Sequence, residues 1–265
     1  MRIIFFGNNW VGWKILQWLK EQNEEIVALV IHPEDKRKYG KEIIHCGDLT
    51  SACIFDGTQL NEINIKKRIS DLRPSIGISA FFGYIISQEL LDLIPNGCIN
   101  IHPSFLPYNR GAYPNVWSIV EGTPAGASIH YINAKVDAGD IISQKKTPVD
   151  DVDTGESLYH KLEYTCLDLF KKTWPKIVDK DIHPIPQNPQ NGTYHRVHDV
   201  ERIDEIDLNR TYRAQDLINV IRARTFQPYP GAYYWSGKNK VYMRLQLLYE
   251  DELIKEAGGN SDNKP

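Results

Sequence analysis

The sequence predicts an α/β fold: a mostly parallel sheet with flanking helices over residues 1–185, then a small C-terminal β-containing subdomain over 186–265. Three observations predict it. Two apolar runs, Arg2 to Phe6 and Ile26 to Ile31, bracket a stretch of helical spacing. Strand, helix and strand within about 30 residues make a βαβ unit, whose crossover should be right-handed. The runs are apolar throughout rather than alternating, as strands covered on both faces require. Finally, 265 residues with 42% hydrophobic side chains suffice for one full domain and a smaller addition.

The elements follow in order. Arg2 to Phe6 stops at Gly7-Asn8-Asn9, and Val11, Ile15, Trp18 and Leu19 then recur at helical spacing up to Glu21. The second run stops at His32-Pro33. Together these read as the opening of a Rossmann-like sheet. Glu34 to Glu42 is charged and reads as a solvated loop or helix face. Ile63 to Leu72 fits a helix and Ser75 to Ala80 a strand. After it comes an unusually apolar loop, Phe81 to Ile86. Gly97 to Ile101 is the next strand. Gly126 to Ile132 and Asp140 to Lys146 are two more, joined by a turn from Asn133 to Gly139. From Thr154 a helix carries Leu158, Leu162, Cys166 and Leu169 on one stripe, with Asp153 as its expected N-cap and Glu156 three residues on. Pro184 to Gly192 reads as a linker. The remaining residues are rich in Tyr and Arg, and the final GGNSDNKP should fray.

Composition excludes several classes. Thirty-one Lys+Arg against 34 Asp+Glu give −3, whereas a protein living on nucleic acid usually shows a basic domain. No apolar run reaches the ~18 residues of a membrane span. The N-terminus lacks the apolar stretch and cleavage site of a signal peptide. Four cysteines without a C-x-x-C pair read as free thiols in a reducing compartment. The expectation is a cytoplasmic protein. His195-Arg196-Val197-His198-Asp199 has no zinc-site spacing, so these histidines read as solvated, and no metal is expected.

The chemistry concentrates in Asn96 to Gly111. Along a strand Asn100 and His102 point to one face, ~6.6 Å apart. Pro103 holds His102 extended and ends the strand there. Both then lie at the carboxyl end of a strand in an open α/β sheet, where such sheets bind ligands. An amide donor beside an imidazole suits acyl transfer to an amine: the donor stabilises the oxyanion, and a base removes the proton the amine must lose. From these residues alone, a structural histidine at a strand end is the commoner explanation.

Further residues bring a resemblance. Asn100, His102, Pro103, Ser104, Leu106, Pro107 and Gly111 form Asn-x-His-Pro-Ser-x-Leu-Pro-x-x-x-Gly, which resembles the signature of formyltransferases that use N10-formyltetrahydrofolate. Phe105 stands where that family tends to have Leu. A second element of the family is matched by Gly126, Ser128 (in place of Thr), His130, Asp137 and Gly139. The resemblance covers Met1 to about Lys180. It implies the formyltransferase fold and a catalytic set of Asn100, His102 and Asp137. Asp137 would orient His102 and raise its basicity, and Asn100 would bind the formyl oxygen. His102 would accept the amine proton, directly or through water, or steady the oxyanion as imidazolium. The implied cosubstrate is N10-formyltetrahydrofolate, with no metal. Its pterin would lie against Phe82, Gly83, Tyr84, Ile85 and Ile86, and against Asn133, Lys135 and Val136 of the turn, mostly through backbone groups.

Relatives differ in the acceptor. Methionyl-tRNA formyltransferases resemble this chain in the catalytic part but carry a basic C-terminal barrel. Here residues 186–265 hold 11 Lys+Arg and 11 Asp+Glu, which forfeits the phosphate attraction that dominates nucleic-acid affinity. Glycinamide ribonucleotide formyltransferases open with a small-residue phosphate loop, whereas Gly7 to Gly12 here has two bulky residues and no Ser. Tyr194-His195-Arg196 and Ile221 to Tyr233 resemble formyltransferases acting on nucleotide-linked amino sugars. The implied function is formylation of a GDP-, dTDP- or UDP-linked dideoxy amino sugar for surface polysaccharide (O-antigen, lipopolysaccharide) biosynthesis. Methionyl-tRNA formylation is the alternative, and a catalytically silent folate- or nucleotide-binding module the second. Candidate acceptor contacts are Trp10, Ser104, Arg110, Gly111, Tyr194, Arg222 and Arg224. The last two are a candidate diphosphate clamp, and Trp10, in the loop after the first strand, a stacking platform. The nucleoside is expected near Gly7 to Gly12 or between the two parts of the chain, and a homodimer is left open.

Overall fold

The computed structural model describes residues 1–259. β1 (Arg2–Gly7), β2 (Glu25–Ile31), β3 (Ile54–Asp56), β4 (Ile76–Ala80) and β5 (Cys98–His102) alternate with α1 (Asn9–Glu21), α2 (Gly40–Gly47), α3 (Ile63–Asp71) and the short α4 (Gln88–Leu91). The chain continues through β6 (Arg110–Gly111), α5 (Pro114–Glu121), β7 (Gly126–Tyr131), β8 (Ile141–Lys146) and the long α6 (Gly155–Val178). Seven strands make one sheet in the order β3-β2-β1-β4-β5-β7-β8. It is parallel as far as β5, and β7 and β8 run antiparallel.

The unbroken apolar runs have a direct cause. Along β1, Ile3 and Phe5 pack on one face with Leu16 of α1 and Phe170 and Trp174 of α6, while Ile4 and Phe6 pack on the other with Ile65 and Ile69 of α3 and Leu90 of α4. Alternating residues thus enter two cores, and neither face is left to water. From β1 the strand order grows in opposite directions, to β2 and to β4. The two strand ends meet where Asn8 N–H donates to the Ala80 carbonyl at 3.1 Å. Such a switch point at the strands' carboxyl ends is where open α/β sheets bind ligands.

Several local expectations need correcting. The N-cap of α6 is Thr154, not Asp153: Thr154 Oγ1 accepts from Ser157 N–H, and Ser157 Oγ accepts from Thr154 N–H. Asp153 lies buried one residue earlier, accepting the Ser157 hydroxyl at 2.7 Å and pairing with Lys161. Trp10 stands in the first turn of α1, not in a loop. After α6 come β9 (Tyr194–His195), α7 (Glu201–Asp204), α8 (Ala214–Ala223), the antiparallel pair β10 (Tyr233–Ser236) and β11 (Asn239–Tyr242), and α9 (Glu250–Gly259). The stretch read as a linker is not loose, since Ile185 bridges Ile141 and the Gln187 amide is held by two carbonyls; just beyond it β9 pairs in parallel with β6. His195 is not solvated either; it is buried and stacked on Trp117, ring centroids 4.0 Å apart. The frayed tail expected over 258–265 lies, from 260 on, outside the described residues.

Candidate active site

β5 presents Asn100 and His102 on one face, as the alternation predicts, and β7 lies beside it with His130 opposite Asn100 and Ser128 opposite His102. The turn after β7 brings Asp137 over both. Its Oδ2 lies 3.6 Å from His102 Nδ1, and its Oδ1 3.5 Å from His130 Nε2 and 3.3 Å from Asn100 Nδ2. Gly111 N–H donates to Oδ2 at 2.9 Å. Asn100, His102, Gly111 and His130 therefore share one mostly buried carboxylate, 37 positions along the chain from Asn100.

The hydrogen bonds assign the tautomers. Asn109 offers only its carbonyl to His102 Nε2, at 3.2 Å, so that nitrogen carries the proton and donates. The lone pair of neutral His102 is then on Nδ1, facing Asp137. His130 Nδ1 likewise donates to the Tyr131 carbonyl at 2.8 Å, leaving Nε2 to accept from Asn100 at 3.2 Å. Burial lowers the His102 pKa below 6.5; Asp137 pushes it back up less strongly, and His130 adds to the lowering. His102 is accordingly neutral at pH 7, a base with a carboxylate waiting for its conjugate acid. Burial alone would raise the Asp137 carboxyl. The charge that His102 and His130 carry when protonated, with the Gly111 N–H, outweighs it and holds the acid well below the usual carboxylate range.

Two residues support the set, of which Asn109 escapes sequence reasoning while Ser128 is visible only as a motif match. Asn109 is fully buried with φ +55°, and its amide donates to the hydroxyls of Ser118 (2.9 Å) and Thr123 (2.8 Å), which fixes the carbonyl that receives His102. Ser128 donates to the Ser104 carbonyl at 2.7 Å and accepts Leu106 N–H at 3.0 Å, anchoring the loop after His102.

A cavity of about 1080 Å³, which none of Asn100, His102 and Asp137 lines, meets the same segment of chain at Tyr113. The rings of Trp10, Tyr39, Tyr113, Tyr159, Tyr164, Phe226 and Tyr229 line it, with Asn9, Lys38, Glu163 and Arg224 among the polar residues. Tyr113 follows Gly111, the Asp137 donor, by two residues. Asn9, Tyr39 and Tyr113 each hold a positive φ (+67°, +56° and +54°). Such backbone is costly for side-chain-bearing residues and clusters at functional sites. Glu163 is a buried carboxylate in this wall, bonded by Asn9 at 3.3 Å and His160 at 2.9 Å; burial raises its pKa despite them.

The structure divides the remaining candidates. Trp10 lines the cavity, edge-on to Tyr164 at 5.1 Å. Lys38 and Tyr39, inside the stretch read as solvated, line it too. Arg222 is no clamp: it is buried, with its guanidinium donating to the carbonyls of Asp150, Asp151 and Asp153 at 2.9–3.2 Å. Arg224 reaches the cavity but holds Asp204 with two bonds, one of 3.0 Å. Arg110, Gly111 and Tyr194 sit instead around the Asp137 donor, on β6 and β9. Ser104 is fully buried with its hydroxyl unpartnered among the described residues. Among the residues expected to hold the pterin, Phe82 packs against Phe6, His32 and Tyr84, and Gly83 N–H donates to His32 Nε2 at 3.0 Å. The side chain of Ile86 belongs to the core. Ile85 is 79% exposed, and Asn133, Lys135 and Val136 are exposed on the turn after β7.

This arrangement, an amide, a neutral imidazole and a carboxylate at a strand end, defines a class of acyl-group transferases acting on amines. Comparison with known proteins makes the class specific. The profile of the family described as "Formyl transferase" matches residues 1–169, more than half of the chain, and that described as "N-formyltransferase dimerization C-terminal domain" matches residues 199–249. The chain belongs to the formyl transferase family, enzymes that transfer formyl groups. A methionyl-tRNA formyltransferase of Bacillus pumilus (strain SAFR-032) is 32% identical, over 97% of this chain and 81% of its own. A 4-N formyltransferase from Francisella tularensis shares the fold with a TM-score of 0.77 at 28% identity, covering 94% of this chain and 98% of that one. The formyltransferase PseJ from Anoxybacillus kamchatkensis has a TM-score of 0.56 at 28% identity, covering 82% of this chain and 94% of its own. It was solved in complex with UDP-4,6-dideoxy-4-formamido-L-AltNAc and tetrahydrofolate. Among the described residues, no group of three or more His, Cys, Asp or Glu could hold a metal ion, and no helix is long and apolar enough to cross a membrane.

Proposed function

We propose that this protein transfers the formyl group of N10-formyltetrahydrofolate to the amine of a nucleotide-linked dideoxy amino sugar, in the cytoplasm, supplying surface polysaccharide assembly. The observation that carries this reading is the aromatic cavity that Tyr113, two residues past the Asp137 donor Gly111, lines together with residues of the 223–230 stretch of the C-terminal part. Seven rings offer stacking faces for a nucleobase, and Lys38 and Arg224 are the Lys and Arg of its wall. Lys38, which donates to the Tyr229 hydroxyl at 2.8 Å, takes the diphosphate role that Arg222 cannot.

The chemistry follows from the protonation states. His102 takes the amine proton at Nδ1 as the amine nitrogen bonds to the formyl carbon, and Asp137 stabilises the imidazolium. Asn100 donates to the oxygen on which negative charge develops. In the resting geometry both its N–H groups are engaged, by His130 and Asp137, so the formyl oxygen displaces the longer bond, to Asp137. The bond to N10 then breaks, N10 receives the proton, and the carbonyl re-forms. The exposed Ile85 and Val136 offer apolar cover for the folate.

Methionyl-tRNA formylation is the second reading, favoured by the relative at 32% identity and opposed by a C-terminal part with equal numbers of acidic and basic residues. The complete Asn–His–Asp set opposes a silent binding module. Nucleoside diphosphates titrated against intrinsic tryptophan fluorescence test the acceptor site. A saturable change with at least one of GDP, dTDP and UDP, lost in Trp10→Phe, is expected. No response to any of them would overturn the assignment.

A further inference from the structure

The segment after α6, which in sequence reads as a bare connector, touches each loop that holds the catalytic set. Ile185 exchanges two backbone hydrogen bonds with Ile141, both 2.8 Å. The Thr193 hydroxyl accepts Asn109 N–H at 2.8 Å and donates to Asn109 Oδ1 at 3.0 Å, and Asn109 is the residue whose carbonyl receives His102. β9 pairs with β6, whose Gly111 N–H holds Asp137.

Between these lies Gln187. Its side-chain amide donates to the carbonyls of Asp137 (3.0 Å) and Gly139 (2.7 Å), bracketing the turn that carries the carboxylate. Asp137 stands there at φ +49°, a left-handed conformation that persists only when the surroundings over-determine it. The reverse amide orientation would set Oε1 against two carbonyl oxygens, so the donors must face the turn. Oε1 then lies buried with no hydrogen-bond partner among the described residues. That arrangement costs stability, and packing alone would not select it.

We propose that Gln187 is a positioning residue for formyl transfer. Its two N–H groups fix the 137–139 turn, keep the Asp137 carboxylate against His102 and His130, and thereby set the basicity of His102. The inference rests on the formyl-transfer reading of the site but not on which amine is the acceptor.

Gln187→Met keeps length and bulk and removes both donors; Gln187→Asn keeps an amide one methylene too short to reach both carbonyls. In Gln187→Met, kcat should fall about 10- to 100-fold, the scale of an ångström-sized misplacement, with KM for the folate within about twofold, as expected when uniform binding is untouched. Gln187→Asn should fall between. The discriminating readout is the His102 titration followed by NMR in the full-length protein without acceptor. Asp137 and His130 are the titratable groups facing that ring. With the carboxylate displaced, His102 should titrate at lower pH than in the parent. A merely structural role would lower the melting temperature and leave this titration in place, and an unchanged titration in both variants would overturn the proposal, whatever happens to kcat. Should no acceptor be formylated by the parent protein, the proposed function fails while the titration still reads Gln187.

Discussion

His102 stands between two opposing influences. Burial favours its neutral form, and Asp137 at 3.6 Å favours its charged form. With burial the stronger, the resting imidazole can take a proton, and the carboxylate lowers the cost of the charge that appears. Two ionisations should therefore shape the pH dependence of kcat/KM. The acceptor amine must lose its proton to attack, so the rate rises with pH toward that amine's pKa and then levels. Below pH 6.5, protonation of His102 adds a second loss, and the logarithmic slope should steepen from one toward two. His102→Ala should remove turnover and leave folate affinity within about twofold. A pH–rate profile of the parent and a turnover assay of the variant check this, and undiminished turnover in the variant would contradict the role of His102. Asn100, His102 and Asp137 were legible because their spacing carries a family resemblance and strand alternation puts the first two on one face. Asn109 and the part played by Gln187 were not, because their partners lie on other loops and the contacts run through main-chain carbonyls, which leave no mark on residue identity.

Among the elements, the 133–139 turn is the most demanding. A Cβ on Gly139 would stand 1.8 Å from the Tyr131 carbonyl oxygen, a backbone atom that cannot step aside. Gly139→Ala should thus move the turn and carry Asp137 away from His102. Because the clash is at the turn and not in either core, the protein should still fold, with kcat reduced on the order of 100-fold. Steady-state kinetics beside a thermal melt measures both, and wild-type turnover would show that the turn tolerates the shift. The strands and helices were readable because period-2 and period-3.6 patterns report burial directly. Charge and turn chemistry misled where tertiary context decides. Lys38 and Tyr39 lie in a charged stretch that looks solvated yet line the cavity, and the proline- and asparagine-rich run 184–192 looks like a linker yet is held at Ile185 and Gln187. At α6, Asp153 offered an acceptable cap, but Thr154 and Ser157 form the reciprocal pair.

The whole molecule builds the cavity proposed for the acceptor from segments far apart in sequence: the start of α1, residues 38–39, the start of α5 and the residue before it, part of α6 and residues of the 223–230 stretch. No local pattern announces such a cavity, which is why the sequence offers Trp10 as a stacking platform without showing what surrounds it, and Arg222 as a clamp that the structure rules out. The same C-terminal part exposes Trp235 (46%) and Tyr242 (51%) on the β10–β11 pair, within the region matching a dimerization domain. Sedimentation should accordingly report twice 30.5 kDa, and a monomer at micromolar concentration would refute that expectation. Around the cavity, the absence of excess positive charge in residues 186–265 favours a small anionic acceptor over a polyanion. The central claim is that an amino sugar on a nucleoside diphosphate is the amine formylated beside Asn100, His102 and Asp137. The most direct measurement incubates the protein and N10-formyltetrahydrofolate with GDP-, dTDP- and UDP-linked amino sugars, and separately with initiator Met-tRNA, and follows each acceptor by mass spectrometry. One of the nucleotide-linked sugars should gain a single formyl group while the tRNA stays unmodified; formylated Met-tRNA with every sugar unchanged would contradict the account.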